Sequence, residues 1–85
     1  MTVRVHLFGH YRDAIPADST AAGFPVEIAP GGTPIDVAAR LARTDERLAD
    51  LTSRTRVAVN AEFAPADTPL ADGDEIAFLP PMSGG

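Results

Sequence analysis

One segment carries a full set of helix-start signals, and its place in the chain constrains the rest. Thr33 can cap a helix N-terminus, Pro34 suits the first helical position, and Asp36 can reach back as in a capping box. A helix therefore begins at Pro34. Along it Ile35, Ala38, Ala39 and Ala42 share a stripe, with Leu41 beside them and Arg40 and Arg43 outside. Small alanines let such a helix lie close to a sheet. Everything around it reads as short strands, so this long helix must cross between two groups of them.

Val3, Val5 and Leu7 alternate with Arg4 and His6, the period of a strand with one face on a core, and the first strand is expected over roughly residues 2–9. Phe8 breaks the alternation and presents an apolar group on the second face. Residues 10–23 have no clear period and read as a loop or a frayed turn. A second strand at about 24–29 follows from Phe24, Val26 and Ile28. Pro25 lacks a donor, so that strand must lie at an edge or leave its nitrogen unpaired. After the helix, Thr44 with Asp45 and Glu46 looks like a second cap, opening a short turn that buries Leu48 and Leu51. Val57 and Val59 mark a third strand. Asn60-Ala61 makes a two-residue turn into a short strand at Glu62-Phe63, and Asp72-Gly73-Asp74 turns the chain into a last strand from Glu75 to Leu79. The order strand, strand, helix, strand, short strand, strand is that of the ubiquitin-like β-grasp, an α+β fold with one main helix on one face of a mixed sheet.

At 85 residues the chain is one domain, expected over residues 1–79, with residues 80–85 as a flexible tail. It has no cysteine, so it cannot build a disulfide or a thiolate zinc site, and any sulfur chemistry must use sulfur from elsewhere. Its seven basic residues are all arginine and its net charge is −5, which argues against a nucleic-acid surface and for basic protein partners. No apolar run approaches a membrane span, and Met-Thr-Val-Arg-Val-His interposes polar residues where a signal peptide would be apolar. A soluble, cytoplasmic protein is expected, with no membrane partner.

Enzymatic machinery is sparse. His6 and His10 have no cysteine or nearby histidine to complete a metal site and read as ordinary surface groups. Asp72, Asp74 and Glu75 surround a glycine turn but lack the twelve-residue calcium loop, so a solvated turn offering charge to a partner is expected. Gly31-Gly32 precedes a helix without the lysine of a phosphate loop. No Ser-His-Asp arrangement can be assembled, and the domain does not read as a stand-alone enzyme.

The chemistry concentrates in Phe78-Leu79-Pro80-Pro81-Met82-Ser83-Gly84-Gly85. The last strand runs into two prolines that cannot donate ladder hydrogen bonds, so pairing should stop and the chain leave the sheet as a stiff arm. Extended, the residues from Pro80 onward reach roughly 20 Å. Gly84-Gly85 at the tip can enter a channel too narrow for a β-carbon and bring a carboxylate against reacting atoms.

The stretch VAVNAEFAPADTPLADGDEIAFLPPMSGG closely resembles the C-terminal part of the MoaD family, the small sulfur-carrier subunits of molybdopterin synthases, within the MoaD/ThiS ubiquitin-like group. The carrying pieces are Ala58-Val59-Asn60, Pro69-Leu70, the run from Asp72 to Ala77, and Pro80-Pro81 before Gly84-Gly85. Leu7-Phe8-Gly9 with Arg12-Asp13 is also similar to that family's first strand and turn. Met82 departs from the branched or aromatic residue common there. The resemblance implies that an E1-like, MoeB-like adenylyltransferase uses ATP and Mg²⁺ to adenylate the terminal glycine, Gly85. A sulfurtransferase-fed donor then displaces AMP to leave a thiocarboxylate. No cofactor is expected on the chain itself. The family further implies that the tail, Pro80, Pro81, Met82, Ser83 and Gly84, enters a MoaE-like large subunit. There the sulfur passes to a pterin precursor in molybdenum cofactor biosynthesis, and the large subunit supplies the catalytic side chains. Phe8, Phe78 and Leu79 are candidates for an apolar docking surface, although Phe78 reads equally well as core. Arg12, Asp74 and Glu75 are candidates for rim contacts with the activating enzyme. Competing readings are a sulfur carrier for thiamine thiazole or cysteine synthesis, a ubiquitin-like protein modifier, and a docking module with an inert tail.

Overall fold

A computed structural model describes residues 1–8, 11 and 23–80 of the chain. Five strands form one sheet: β1 (Thr2–Leu7), β2 (Phe24–Glu27), β3 (Arg56–Val59), β4 (Glu62–Phe63) and β5 (Glu75–Leu79), in the spatial order β2-β1-β5-β3-β4. β1 and β5 run parallel at the centre, and the remaining pairings are antiparallel. Helix α1 (Pro34–Thr44) crosses from β2 toward β3, followed by a 3-10 turn (Glu46–Leu48) and the one-turn helix α2 (Leu51–Arg54). This is the α+β, ubiquitin-like β-grasp arrangement that the element order predicts. No helix among the described residues is long and apolar enough to cross a membrane.

The core lies between α1 and one face of the sheet. Val3, Val5 and Leu7 of β1, Ile76 and Phe78 of β5, Val57 of β3, and Phe24 and Val26 of β2 all turn that way. Val37, Ala38 and Leu41 meet them from the helix, and Leu48 and Leu51 close one end. Val3, Val5, Ile76 and Phe78 are fully buried, and each such side chain contributes about 1.5–3 kcal/mol by leaving water.

Helix α1 begins where its signals place it. The Asp36 carboxylate accepts from the Thr33 backbone N–H at 2.8 Å and from its hydroxyl at 3.2 Å, closing the first turn. Its buried face, however, is Pro34, Val37, Ala38 and Leu41 rather than the expected stripe of Ile35, Ala38, Ala39 and Ala42. Rotating the helix by about one residue exchanges alanines for the larger Val37 and Leu41, which remove more apolar surface from water. Ile35 is left 48% exposed. The second cap also falls one residue late. Asp45, not Thr44, accepts from Arg47 N–H at 3.0 Å, while the Thr44 hydroxyl donates back to the Arg40 carbonyl.

Both early strands are shorter than the pattern suggests. β1 ends at Leu7, and β2 ends at Glu27 because Gly32 N–H closes a turn onto the Ala29 carbonyl at 3.0 Å. A β-carbon on Gly32 would lie 2.9 Å from Ile28 Cδ1 and 3.0 Å from the Ala29 oxygen, so a larger residue here would have to push the Ile28 side chain and the turn aside. Pro25 satisfies both conditions set by its sequence. Met1 and Ile28 exchange backbone hydrogen bonds at 2.8 and 3.0 Å. Counting in twos from there, Val3 with Val26 and Val5 with Phe24 are the bonded pairs. Pro25, opposite Arg4, therefore turns its nitrogen to the open edge of the sheet.

Tyr11 is a core residue that the aperiodic stretch around it does not reveal. Its ring is buried and its hydroxyl donates to Asp50 Oδ1 at 3.0 Å. Burial first, then the Asp50 carboxylate, push its phenol above the usual tyrosine range.

Candidate functional site

Where β5 begins fixes where it ends, and the Asp72-Gly73-Asp74 turn sets its beginning. Gly73, at φ +87°, donates its N–H to the Thr2 carbonyl at 2.7 Å, and Asp72 Oδ1 accepts from Thr2 N–H at 2.7 Å. Arg4 N–H reaches the Asp74 carbonyl at 2.9 Å. The Asp74 carboxylate accepts from Ala71 N–H at 2.8 Å and from the Asn60 amide at 3.0 Å. These two donors, Ala71 first, hold its carboxyl below the ordinary aspartate range. Asn60 returns the contact, with Oδ1 accepting from Glu75 N–H at 3.1 Å and its own N–H donating to the Glu75 carbonyl at 2.8 Å. Asp74 thus also serves the fold, tying the turn before β5 to Asn60.

The register lays out the sheet face opposite α1 in rows. β1 and β5 pair His6 with Ala77 and Leu7 with Phe78, and β5 and β3 pair Ala77 with Ala58 and Leu79 with Arg56. Ala58 in turn sits opposite Phe63 of β4. One row is therefore His6, Ala77, Ala58, Phe63, and the row nearest the exit of β5 is Phe8, Leu79, Arg56. Phe8 is 41% and Phe63 61% exposed. The two alanines floor a shallow hollow walled by Phe8, by His6 with Glu75, and by the Asn60-Ala61 turn. Helix α1 covers the other side of the sheet, and among the described residues no element packs over this one, the open face.

The predicted docking residues separate on this map. Phe8 and Leu79 belong to the open face. Phe78 does not: at 0% exposure it points into the core, because strand alternation sends it to the α1 side with Ile76. Glu75 is exposed but engaged, its Oε1 2.9 Å from His6 Nε2. His6, expected from sequence to be an ordinary surface group, is partly exposed, and the pairing of β1 with β5 gives it a carboxylate partner. Pro80 follows β5 and is half-buried. Arg12, His10 and the tail residues Pro81, Met82, Ser83, Gly84 and Gly85 lie outside the described residues.

Two residues of the face were not found in the sequence. Phe63 belongs to a two-residue strand too short to show a period, and Arg56 precedes Val57 at the start of the third strand with no pattern that singles it out. The guanidinium of Arg56 lies 4.0 Å from the centroid of the Phe63 ring, a cation–π contact. The signal for the pair was that Phe63 follows a two-residue turn, which places it beside the strand bearing Arg56. Among the described residues, no three histidine, cysteine or acidic side chains gather to hold a metal ion.

The five-stranded mixed sheet with its one main helix defines a ubiquitin-like β-grasp domain. The chain belongs to the ThiS family, whose model matches residues 5–85. It is 39% identical to the molybdopterin synthase sulfur carrier subunit of Mycobacterium tuberculosis (strain ATCC 25618 / H37Rv) over 83 residues, 98% of this chain and 96% of that one. It is 34% identical to the subunit of the same name from Escherichia coli (strain K12), over 98% of this chain and 99% of that one. Among solved structures it is similar to the complex of subunits 1 and 2 of the molybdopterin-converting factor from Helicobacter pylori 26695. That match has a TM-score of 0.65 and 27% identity and covers all of both chains.

Proposed function

We propose that this protein is the sulfur-carrier subunit of a molybdopterin synthase, a cytoplasmic β-grasp body that holds a reactive terminus for its partners. The observation that carries the reading is the placement of β5. Clamped at Asp74 and Asn60, it delivers Leu79 and Pro80 to the edge of an open apolar face, so a partner seated on that face receives the segment that follows. Near-full-length similarity to two sulfur carrier subunits supports the chemistry. The similar complex of two converting-factor subunits supports a large-subunit partner.

In this reading a carboxylate at Gly85 is a poor acyl donor until an activating enzyme joins it to AMP, with pyrophosphate leaving. A sulfur nucleophile then displaces AMP and leaves a thiocarboxylate, whose soft sulfur attacks more readily than the oxygen it replaced. Gly84 admits the tip to a narrow site, and the large subunit supplies the catalytic groups. The carrier's own residues position and do not catalyse.

The test is intact-mass analysis after incubation with an E1-like adenylyltransferase, ATP, Mg²⁺ and a sulfur donor, followed by capture of binding partners. The expected result is the mass gain of oxygen replaced by sulfur on the terminal residue, and capture of a molybdopterin synthase large subunit. No mass change would leave a docking module. Capture of a thiazole synthase in its place would assign a different acceptor.

A further inference from the structure

Most charges on the open face are already engaged. Glu75 pairs with His6 at 2.9 Å, Glu27 takes the Thr2 hydroxyl and lies 3.9 Å from the Met1 amino group, and Arg4 reaches the Gly23 carbonyl. Arg56 differs. It is exposed, and among the described residues its charged group has the Phe63 ring against it and no carboxylate or carbonyl partner. It is also the cation in register with Leu79, where β5 gives way to Pro80.

We propose that Arg56 is a specificity-determining residue of the docking face, held by Phe63 to receive a carboxylate from the rim of the partner's apolar surface. This rests on the functional reading above, and the occupant is the synthase large subunit. A guanidinium stacked on a ring loses one flat side to the aromatic and keeps its N–H edge outward. The edge matches a carboxylate bidentately, and the ring pre-orders a side chain that would otherwise spend rotamer entropy on binding. Charge complementarity gives the partner's sign. The chain carries a net charge of −5, so a generally basic partner would be drawn to it anywhere. A carboxylate opposite Arg56 fixes which end of the apolar face lies over the exit of β5. Since interfacial charges mostly steer and specify, Arg56 acts on the rate and register of docking, while Phe8, Leu79 and Phe63 supply the buried area.

The experiment is association of the full chain with the large subunit from the same organism, measured across a salt series for wild type, R56A, R56K, R56E and F63A. Thermal melting of each variant serves as a check on folding. The expected result is that R56A slows association about tenfold at low salt and flattens the salt dependence, with R56E slower still. R56K should keep the salt dependence but dissociate faster, and F63A should lose part of both. Wild-type salt dependence and association rate in R56A, with binding intact, would overturn the role of Arg56 and leave the functional reading standing. Faster association of R56E would show that a basic group faces it and would also overturn the proposal. No binding by the wild-type chain would overturn the large-subunit reading and this inference with it.

Discussion

Asn60 and Asp74 meet at 3.0 Å across the mouth of the β3–β4 turn, amide to carboxylate, and the same Asn60 side chain accepts from Glu75 N–H at 3.1 Å. This contact couples a hairpin turn to the start of the central strand. Removing it with D74A leaves Ala71 N–H and the Asn60 amide without their acceptor, and should lower stability by about 1–2 kcal/mol in denaturant unfolding. The carboxyl of Asp74 is held below its ordinary value. Its stabilisation is therefore complete above the unfolded aspartate value of about 3.9 and lost as pH falls through the lower folded value. Wild type should lose stability below about pH 4 more steeply than D74A.

Ala61 sits at φ +71° beside Asn60 at +51°, both left-handed, as a two-residue hairpin turn requires. An alanine there is strained by its β-carbon. A61G should raise unfolding free energy by up to about 1 kcal/mol, against the usual cost of glycine in the unfolded chain. A lower melting temperature would contradict this.

Leu79 and Phe78 are neighbours with opposite fates. F78A should cost about 3–5 kcal/mol and unfold much of the population, because it empties the centre of the core. L79S and F63S should leave melting nearly unchanged while weakening large-subunit binding about tenfold or more. Calorimetry for the first and binding titration for the others separate the two faces of the sheet.

Tyr11 donates to Asp50, and its phenol is raised above the ordinary range chiefly by burial. A raised folded value means stability present below the unfolded value of about 10 and lost as pH rises past it. Y11F should cost about 1 kcal/mol at neutral pH. It should also remove part of the alkaline loss, visible as a flatter urea midpoint between pH 9 and 11, about one unit either side of that value.

Replacing Gly85 by valine should abolish thiocarboxylate formation or transfer, read by intact mass and by product. Melting should stay as in wild type, since β5 ends at Leu79.

The elements legible in the sequence were those with local causes. Thr33, Pro34 and Asp36 announce the start of α1 through contacts three residues apart, and Asn60-Ala61 forms its turn as read. The face of α1 was not legible, because alanine spacing fitted two rotations and only the sheet opposite decides between them. Tyr11 was lost in a stretch without a period. At the candidate site, Phe8 was legible as an apolar group where the alternation of β1 called for a polar one, and Leu79 only beside the family resemblance. The engagement of Asp74 by Asn60 and the stacking of Arg56 on Phe63 depend on strands that meet only after folding.

β5 is the last strand in chain order, yet it lies between β1 and β3. Until Glu75–Leu79 has emerged from the ribosome, the earlier strands can make only two separate antiparallel pairs with no shared sheet. Synthesis must therefore pass this strand before the body closes, so a chain halted short of Glu75 has the helix and four strands but no sheet to join them.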